Sequence, residues 1–237
     1  MDVKEYFSKL NQAAQNVFND TIDHCDFLGL VHDYSSILLE WANIIPDSPE
    51  LKMFENAAQE IDVSCLSLLS GLYRKAFVSL RLSMEMSFGA VYFSVHKLEY
   101  LEWQKGEKDI VWSVIIDKEN GVLSKRFSNA FFPELSEEIT KMNRETGELY
   151  RLLSEYVHGN YGTWDQENPY LSKNDDLIKK YEEVIKKLRK LSLFLLCNRY
   201  LKELSPEKRE MLEEHVKDEL NHIEPIRIVL GGPLGNK

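Results

Sequence analysis

Residues 73–100 read YRKAFVSLRLSMEMSFGAVYFSVHKLEY, and this stretch decides the fold. Apolar side chains recur there at nearly every turn, and Gly89 is its one glycine. The pattern predicts a long helix, and a helix that is apolar almost all round is usually the central one of a bundle. Its most apolar part, Met84 to Val95, contains Glu85 and several small polar residues, so a membrane span is not expected.

The same periodicity predicts helices on both sides of this one. They are expected over residues 2–20, 26–45, 49–72, 135–159 and 175–204. Ser48 is a predicted cap for a helix that begins at Pro49, and Ser205 is a predicted cap for a last helix that begins at Pro206.

Two stretches do not fit this pattern. Residues 101–133 are the least regular part of the chain and are predicted to be short helices or an extended insert. Residues 226–237, with their glycines, are predicted to be extended and mobile. The predicted fold class is therefore all-α, a multi-helix bundle with an irregular insert around 101–133.

Three parts of the chain are expected to form one compact unit. N-terminal helices (1–48) pack on the bundle (49–204), and a C-terminal helix with a flexible tail (205–237) follows.

Composition narrows the classes of function. The chain has 237 residues, 43% of them hydrophobic, and a formal net charge of −10. These values exclude wholesale disorder and disfavour a general nucleic-acid-coating role, although a small local basic site remains compatible with them. Its three cysteines show no metal-like spacing and the N-terminus is polar, so a reducing, cytoplasmic location without a membrane is expected.

The stretch whose side chains suit catalysis is 148–160, ELYRLLSEYVHGN. Positions seven apart nearly eclipse on an α-helix, so Arg151 and His158 lie on one stripe. The opposite side should face the core through its apolar residues, Leu149, Leu152, Leu153 and Tyr156. The Arg151–His158 stripe therefore points toward water or toward another subunit.

An arginine placed a few residues before a histidine, late in an amphipathic helix of an all-α bundle, resembles the HEPN superfamily. Here six residues separate the two, and YRLLSEYVHG (150–159) is similar to the end of a group of bacterial HEPN-like domains. The Arg81 and Glu85 region of 73–85 resembles another helix of that group. The resemblance covers about residues 50–200. One departure is Leu152, which stands where the ribonuclease members often have a polar residue.

The resemblance implies a HEPN-like bundle and a metal-independent endoribonuclease, or a degenerate relative, of a bacterial defence or toxin–antitoxin system. Arg151 would hold phosphate, His158 would transfer protons, and Ser154 would orient the ring or the substrate. One chain supplies a single histidine, so a homodimer is expected to complete the site without a cofactor or metal. Four residues are expected to support it: Arg81, Glu85, Glu155 and Tyr150.

Structural roles compete with each of these assignments. Arg151 can form surface ion pairs with Glu148 or Glu155, and His158 can interact with the carbonyls at its helix end. Arg81 and Glu85, four positions apart, favour a salt bridge that holds the bundle in register, with support of the Arg151–His158 helix as the alternative.

Other residue groups carry weaker signals. Lys125 and Arg126 form the best local basic patch and are candidate RNA-binding residues. His215, Glu219 and His222 have a spacing that can clasp a metal, but a solvated charged surface is the favoured interpretation. Aromatic residues can stack bases or line a partner surface, and core packing or loop anchoring is the usual role: Trp103, Trp112, Tyr161, Trp164 and Tyr170.

Two other functions remain open. A non-catalytic adaptor or neutralising subunit would bind a protein partner of a defence operon through the same stripe and the glycine-rich tail, and it would account for the net charge of −10. A small-molecule sensor with a pocket under Trp103 and Trp112 is the third.

Overall fold

The computed structural model of the protein describes residues 2–23, 25–45, 50–164 and 171–233. Within these ranges the chain is helical, with eleven α-helices, two 3₁₀ turns and no β-strand. The predicted all-α, multi-helix fold class is confirmed.

The helices, in chain order, are α1 (Val3–Ile22), α2 (Leu28–Ile44), α3 (Leu51–Leu69), α4 (Tyr73–Phe93), α5 (Lys97–Gln104), α6 (Trp112–Ile115), α7 (Lys125–Phe131), α8 (Ile139–His158), α9 (Asp175–Tyr200), α10 (Pro206–Leu220) and α11 (Glu224–Val229). The 3₁₀ turns are Pro133–Leu135 and Tyr161–Thr163.

Helix α4 is central, as its composition predicts. It packs against α3, α8 and α9, and its residues from Ser87 to Phe93 are all buried. Gly89 permits a close approach, because a Cβ there would lie 3.1 Å from the Met53 methyl. The helix ends at Phe93 rather than continuing to Tyr100.

Side chains after Phe93 account for this early end. The Ser94 hydroxyl donates to the carbonyl of Val91 at 2.7 Å, and the His96 ring is hydrogen-bonded to the carbonyl of Tyr92 at 2.9 Å. Such side-chain bonds occupy carbonyls that a continuing helix would need. The chain turns there and begins α5 at Lys97.

The insert 101–133 consists of short helices packed on the bundle rather than an extended segment. The Asn143 amide of α8 donates to the carbonyls of Ile116 and Leu123, at 3.0 and 3.3 Å. The Asn198 amide of α9 donates to the carbonyl of Val122 at 3.4 Å. Two long helices thereby fix a segment whose sequence shows little periodicity.

The C-terminal half of α9 lies at the centre of the molecule. Residues 191–198 are buried at every position, as the apolar run in that segment predicts. One hydrophobic cluster joins these residues with buried side chains of α2, α4, α8, α10 and α11.

The prediction of an extended tail over 226–237 is wrong for residues 226–229, which are helical. Residues 224–229 form α11, because apolar side chains at Ile223, Ile226 and Leu230 recur at helical spacing and are buried. After α11, the Arg227 guanidinium donates to the carbonyl of Pro233 at 3.1 Å. The glycine-rich segment therefore folds back on α11 as far as it is described.

Several predicted boundaries differ from those observed. Helix α3 begins at Leu51, and its predicted start at Ser48 and Pro49 lies outside the described residues. Helix α8 begins at Ile139 because the preceding Pro133–Leu135 forms a 3₁₀ turn. The Ser205 cap is confirmed, since its hydroxyl accepts from the amide of Lys208.

A charged network joins α2, α9 and α10. The buried guanidinium of Arg189 contacts Asp33 at 2.7 Å and also contacts Glu219, while His215 lies 3.1 Å from Asp33. Two of the three side chains considered for a metal site, His215 and Glu219, are therefore engaged in these contacts. Over the described ranges, no cluster of three or more histidine, cysteine, aspartate or glutamate side chains is arranged to hold a metal.

Among the helices that the structure describes, none combines the length and the apolarity needed to cross a membrane. Cys25, Cys65 and Cys197 are free thiols.

Candidate functional site

The core-facing side of α8 matches its prediction. Leu149, Leu153 and Tyr156 are buried, and Leu152 is half-buried against the core. The Tyr156 ring stacks on Phe77 of α4 with centroids 4.1 Å apart. This packing fixes the rotation of α8, so the opposite side of the helix faces outward.

Arg151 and His158 lie on that outward side and both are exposed. They are separated by about 10 Å along the helix axis, because seven residues at a rise of 1.5 Å each make about two turns. In the described part of the chain, neither side chain forms an ion pair or a hydrogen bond. Glu148 contacts Arg144 instead, at 3.9 Å, and Glu155 forms no ion pair with Arg151 among the described residues. The two groups remain available to an external ligand.

Ser154 is half-buried, one turn before His158. Its hydroxyl donates to the carbonyl of Tyr150 at 2.7 Å. This bond occupies the hydroxyl proton and leaves the oxygen lone pairs able to accept. The structure therefore does not place the Ser154 proton on His158 or on a substrate.

Arg81, Glu85 and Tyr150 form a cluster between α4 and α8. The Arg81 guanidinium lies 3.2 Å from a Glu85 carboxylate oxygen and 2.6 Å from the Tyr150 hydroxyl, which donates to the same carboxylate at 2.8 Å. Trp112 stacks on the Tyr150 ring with centroids 4.1 Å apart. The predicted Arg81–Glu85 salt bridge is present, and it also contacts the helix that carries Arg151 and His158.

Burial of Tyr150 raises the pKa of its phenol, and the hydrogen bond to Glu85 raises it further. We expect Glu85→Gln to lower the Tyr150 pKa, because the charged acceptor that favours the neutral phenol is removed. A ¹³C NMR titration of the tyrosine ring measures this. Glu137→Gln, a substitution at an exposed residue, is the control and should leave the Tyr150 pKa unchanged. An unchanged pKa in Glu85→Gln would contradict the hydrogen bond.

The raised pKa of Tyr150 also makes the stability of the fold depend on pH. A phenol whose folded pKa exceeds the unfolded value stabilises the fold fully below the unfolded pKa, about 10. The stabilisation is lost as pH rises through the folded pKa.

Arg74 is a functional candidate that sequence reasoning missed. Its guanidinium donates to the carbonyl of Tyr156 at 2.8 Å, in the last turn of α8 next to His158. A cation there is favoured by the negative end of the helix dipole. The sequence shows an arginine at the start of α4, but only the crossing of α4 and α8 brings its guanidinium to the end of α8.

Gly159, the last residue of the helix predicted over 135–159, ends α8 in the left-handed conformation that glycine favours, with φ of 68°. A Cβ at this position would lie 2.5 Å from a terminal nitrogen of Arg74. We expect Gly159→Ala to destabilise the fold by about 1–2 kcal/mol, since an L residue is strained there. Thermal unfolding measures the change as a drop of a few degrees.

Gly106→Ala is the matched control, because Gly106 has φ of 72° and no neighbouring atom within 4 Å of an added Cβ. Both variants carry the same backbone strain, and Gly159→Ala should lose more because Arg74 must move. An equal loss in both would show that the Arg74 contact adds nothing.

Two exposed aromatic side chains follow α8. Tyr161 is 70% exposed and Trp164 56% exposed, and their ring centroids lie 5.7 Å apart. The Trp164 indole donates to the carbonyl of Gly159 at 2.9 Å, which anchors the pair beside His158. Trp112 is buried and Trp103 half-buried against Phe93, so those rings pack in the core.

Tyr170 lies outside the described residues. Trp103 and Trp112, the two residues of the sensor hypothesis, pack against neighbouring rings of Phe93 and Tyr150, and that hypothesis stays a prediction.

Lys125 and Arg126 begin α7 and are exposed. They share a cavity with Arg144, near the start of α8, and do not lie against His158. Arg144 and His158 are about 20 Å apart along the helix axis at 1.5 Å per residue. The cavity beside the predicted RNA-binding pair and the predicted catalytic pair therefore lie toward opposite ends of α8.

A scan against models of protein families finds no match for this chain, and searches of curated proteins and of solved structures find none either. No function is therefore carried over from a matched protein.

Proposed function

We propose that this chain is a metal-independent endoribonuclease of a bacterial defence or toxin system, acting as a cytoplasmic homodimer. The observation that carries the proposal is the free Arg151–His158 pair. Both side chains lie on the outward face of α8, two turns apart, and neither has a partner in the described residues. The resemblance of 150–159 to HEPN domains supports the same assignment.

The chemistry of the pair suits phosphodiester cleavage. A neutral imidazole takes the proton of a ribose 2′-hydroxyl, and the 2′-oxygen bonds to the adjacent phosphorus. The bond from phosphorus to the 5′-oxygen breaks, and an imidazolium gives that oxygen its proton. The products are a 2′,3′-cyclic phosphate and a 5′-hydroxyl. Arg151 supplies a fixed fork of donors to the phosphate.

Acid and base are both needed, and each chain brings one His158. A two-fold axis beside α8 would place two copies in one cleft, so that one histidine acts as base and the other as acid. Exposed apolar groups next to this face support such a contact: Val157, Tyr161 and Trp164. Helix α8 is held in place for this task by the Tyr150 cluster and by Arg74.

The competing function is a non-catalytic adaptor or neutralising subunit for a protein partner. The net charge of −10 favours it, since an acidic protein can mask a basic partner. The glycine-rich segment that would serve as its binding tail folds back on Arg227, which removes part of the proposed docking segment.

Purified protein incubated with total RNA and EDTA tests the proposal. We expect cleavage that persists in the chelator and yields fragments with 2′,3′-cyclic phosphate and 5′-hydroxyl ends. Light scattering on the same preparation should give the mass of a dimer. An intact RNA pool, or ends of the opposite polarity, would remove the nuclease assignment and leave the adaptor.

A further inference from the structure

A cavity lies at the start of α8, away from His158. It has a volume of about 650 Å³ and opens between the turn 117–121, the start of α7 and the first turns of α8. Ligand pockets commonly have volumes of roughly 300–1,000 Å³, so the cavity is large enough for a nucleotide. Its base is apolar, formed by Leu123 and Ile139.

The lining is strongly positive on a protein that is acidic overall. Carboxylates in it come from Glu119 and Glu137, while five side chains are cationic: Lys118, Lys125, Arg126, Lys141 and Arg144. Positive charges exceed negative ones by three, against a net charge of −10 for the chain. This excess stands out because the remaining surface repels polyanions.

Four of the five cations form no ion pair among the described residues. Among the described residues, Arg144 is the one of the five with an ion pair, to Glu148 at 3.9 Å on the exposed surface. Arg126 donates to the neutral amide oxygen of Asn120 at 2.6 Å. The neighbouring carboxylate of Asp117 accepts from the amides of Glu119 and Asn120, which lowers its pKa.

The wall of the cavity is fixed in place. The Asn143 amide holds the carbonyls of Ile116 and Leu123. Gly121 is packed so closely that a Cβ would lie 2.4 Å from the Ile115 carbonyl oxygen. A site whose backbone is already ordered loses less conformational entropy when it binds a ligand.

We propose that this cavity binds the phosphate groups of a nucleotide, either free or at the end of an RNA strand. Lysine and arginine side chains from both walls supply the donors, and the apolar base accommodates the nucleoside. This site goes beyond the proposed nuclease centre and does not require His158 to be catalytic. Arg144 lies seven residues before Arg151, so an RNA held here would continue along the face of α8.

Binding of ATP and of adenosine, both with EDTA, tests the proposal by calorimetry. We expect ATP to bind at least about tenfold more tightly, since only ATP carries phosphate. Lys125→Gln and Lys141→Gln, from opposite walls, should each weaken ATP binding about fivefold or more through loss of a charge-assisted bond. Lys4→Gln on α1 is the control and should bind as the wild type does.

Two RNA decamers, with and without a 5′-phosphate, identify the source of the phosphate. Tighter binding of the phosphorylated decamer than of ATP assigns the site to RNA ends, and the reverse order assigns it to free nucleotides. Three results would overturn the proposal: equal binding of ATP and adenosine, no binding of ATP or of either RNA, or binding that Arg151→Ala weakens while both cavity variants leave it intact. The RNA arms use the His158→Ala variant, so these results are distinguishable from failure of the proposed nuclease function.

Discussion

We expect His158→Ala to reduce the rate of RNA cleavage by roughly 10²–10⁴-fold, the usual contribution of a general acid or base. The substitution removes the proposed proton-transfer group from the face of α8 without touching the core, because His158 is exposed and follows the last buried residue of the helix, Tyr156. The melting temperature should therefore stay close to that of the wild type. Initial rates on a fluorogenic RNA, measured in EDTA, give the comparison.

His222→Ala is the matched control, since His222 is also an exposed histidine near a helix end. It should cleave at the wild-type rate. Arg151→Lys should fall between the wild type and Arg151→Ala, because lysine keeps the charge and loses the fork of donors. Full activity in His158→Ala would mean that any cleavage comes from another site or from a contaminant.

We expect Arg189→Met to destabilise the protein by about 2 kcal/mol or more. The guanidinium is buried and contacts both Asp33 and Glu219, so its removal leaves two carboxylates with no cation between them. The loss should be smaller than the 3–5 kcal/mol of a fully buried pair, because these carboxylates are partly exposed. Urea denaturation measures the change in free energy of unfolding.

Lys187→Met is the control on the same helix, where the side chain is exposed, and it should change stability by less than about 0.5 kcal/mol. Adding Asp33→Asn and Glu219→Gln to Arg189→Met should recover part of the lost stability, since the uncompensated charges are then gone. Equal stability of Arg189→Met and the wild type would mean that the network contributes nothing.

The architecture was predictable because its helices carry strong local signals. The nearly all-round apolar composition of α4 predicts a central helix and the apolar run in α9 predicts a core segment, and residues 87–93 and 191–198 are buried. Gly159 and Ser205 predict a helix end and a helix start, and backbone geometry confirms each. These features depend on short-range spacing, which a sequence displays directly.

The places where prediction failed depend partly on local side-chain bonds and partly on long-range contacts. The break after Phe93 comes from side-chain bonds of Ser94 and His96, and the order of the insert comes from Asn143 and Asn198 on distant helices. The glycines of residues 226–237 predict a mobile tail. Three apolar residues at helical spacing, Ile223, Ile226 and Leu230, instead form the buried side of α11.

The candidate site divides in the same way. The face shared by Arg151 and His158 follows from helical geometry, and their exposure agrees with it. The approach of Arg74 and the gathering of Lys125 with Lys141 do not. Those two depend on how helices cross, which local spacing does not encode.

The burial of residues 191–198 on every side has a consequence for biosynthesis. While a ribosome is still making the first two-thirds of the polypeptide, the groove that α9 fills in the folded protein is open and its apolar side chains are exposed. Folding must wait for that late segment, so nascent chains should depend on chaperones and be sensitive to proteases until it emerges. Translation that stalls before α9 should yield fragments that aggregate rather than a smaller working protein.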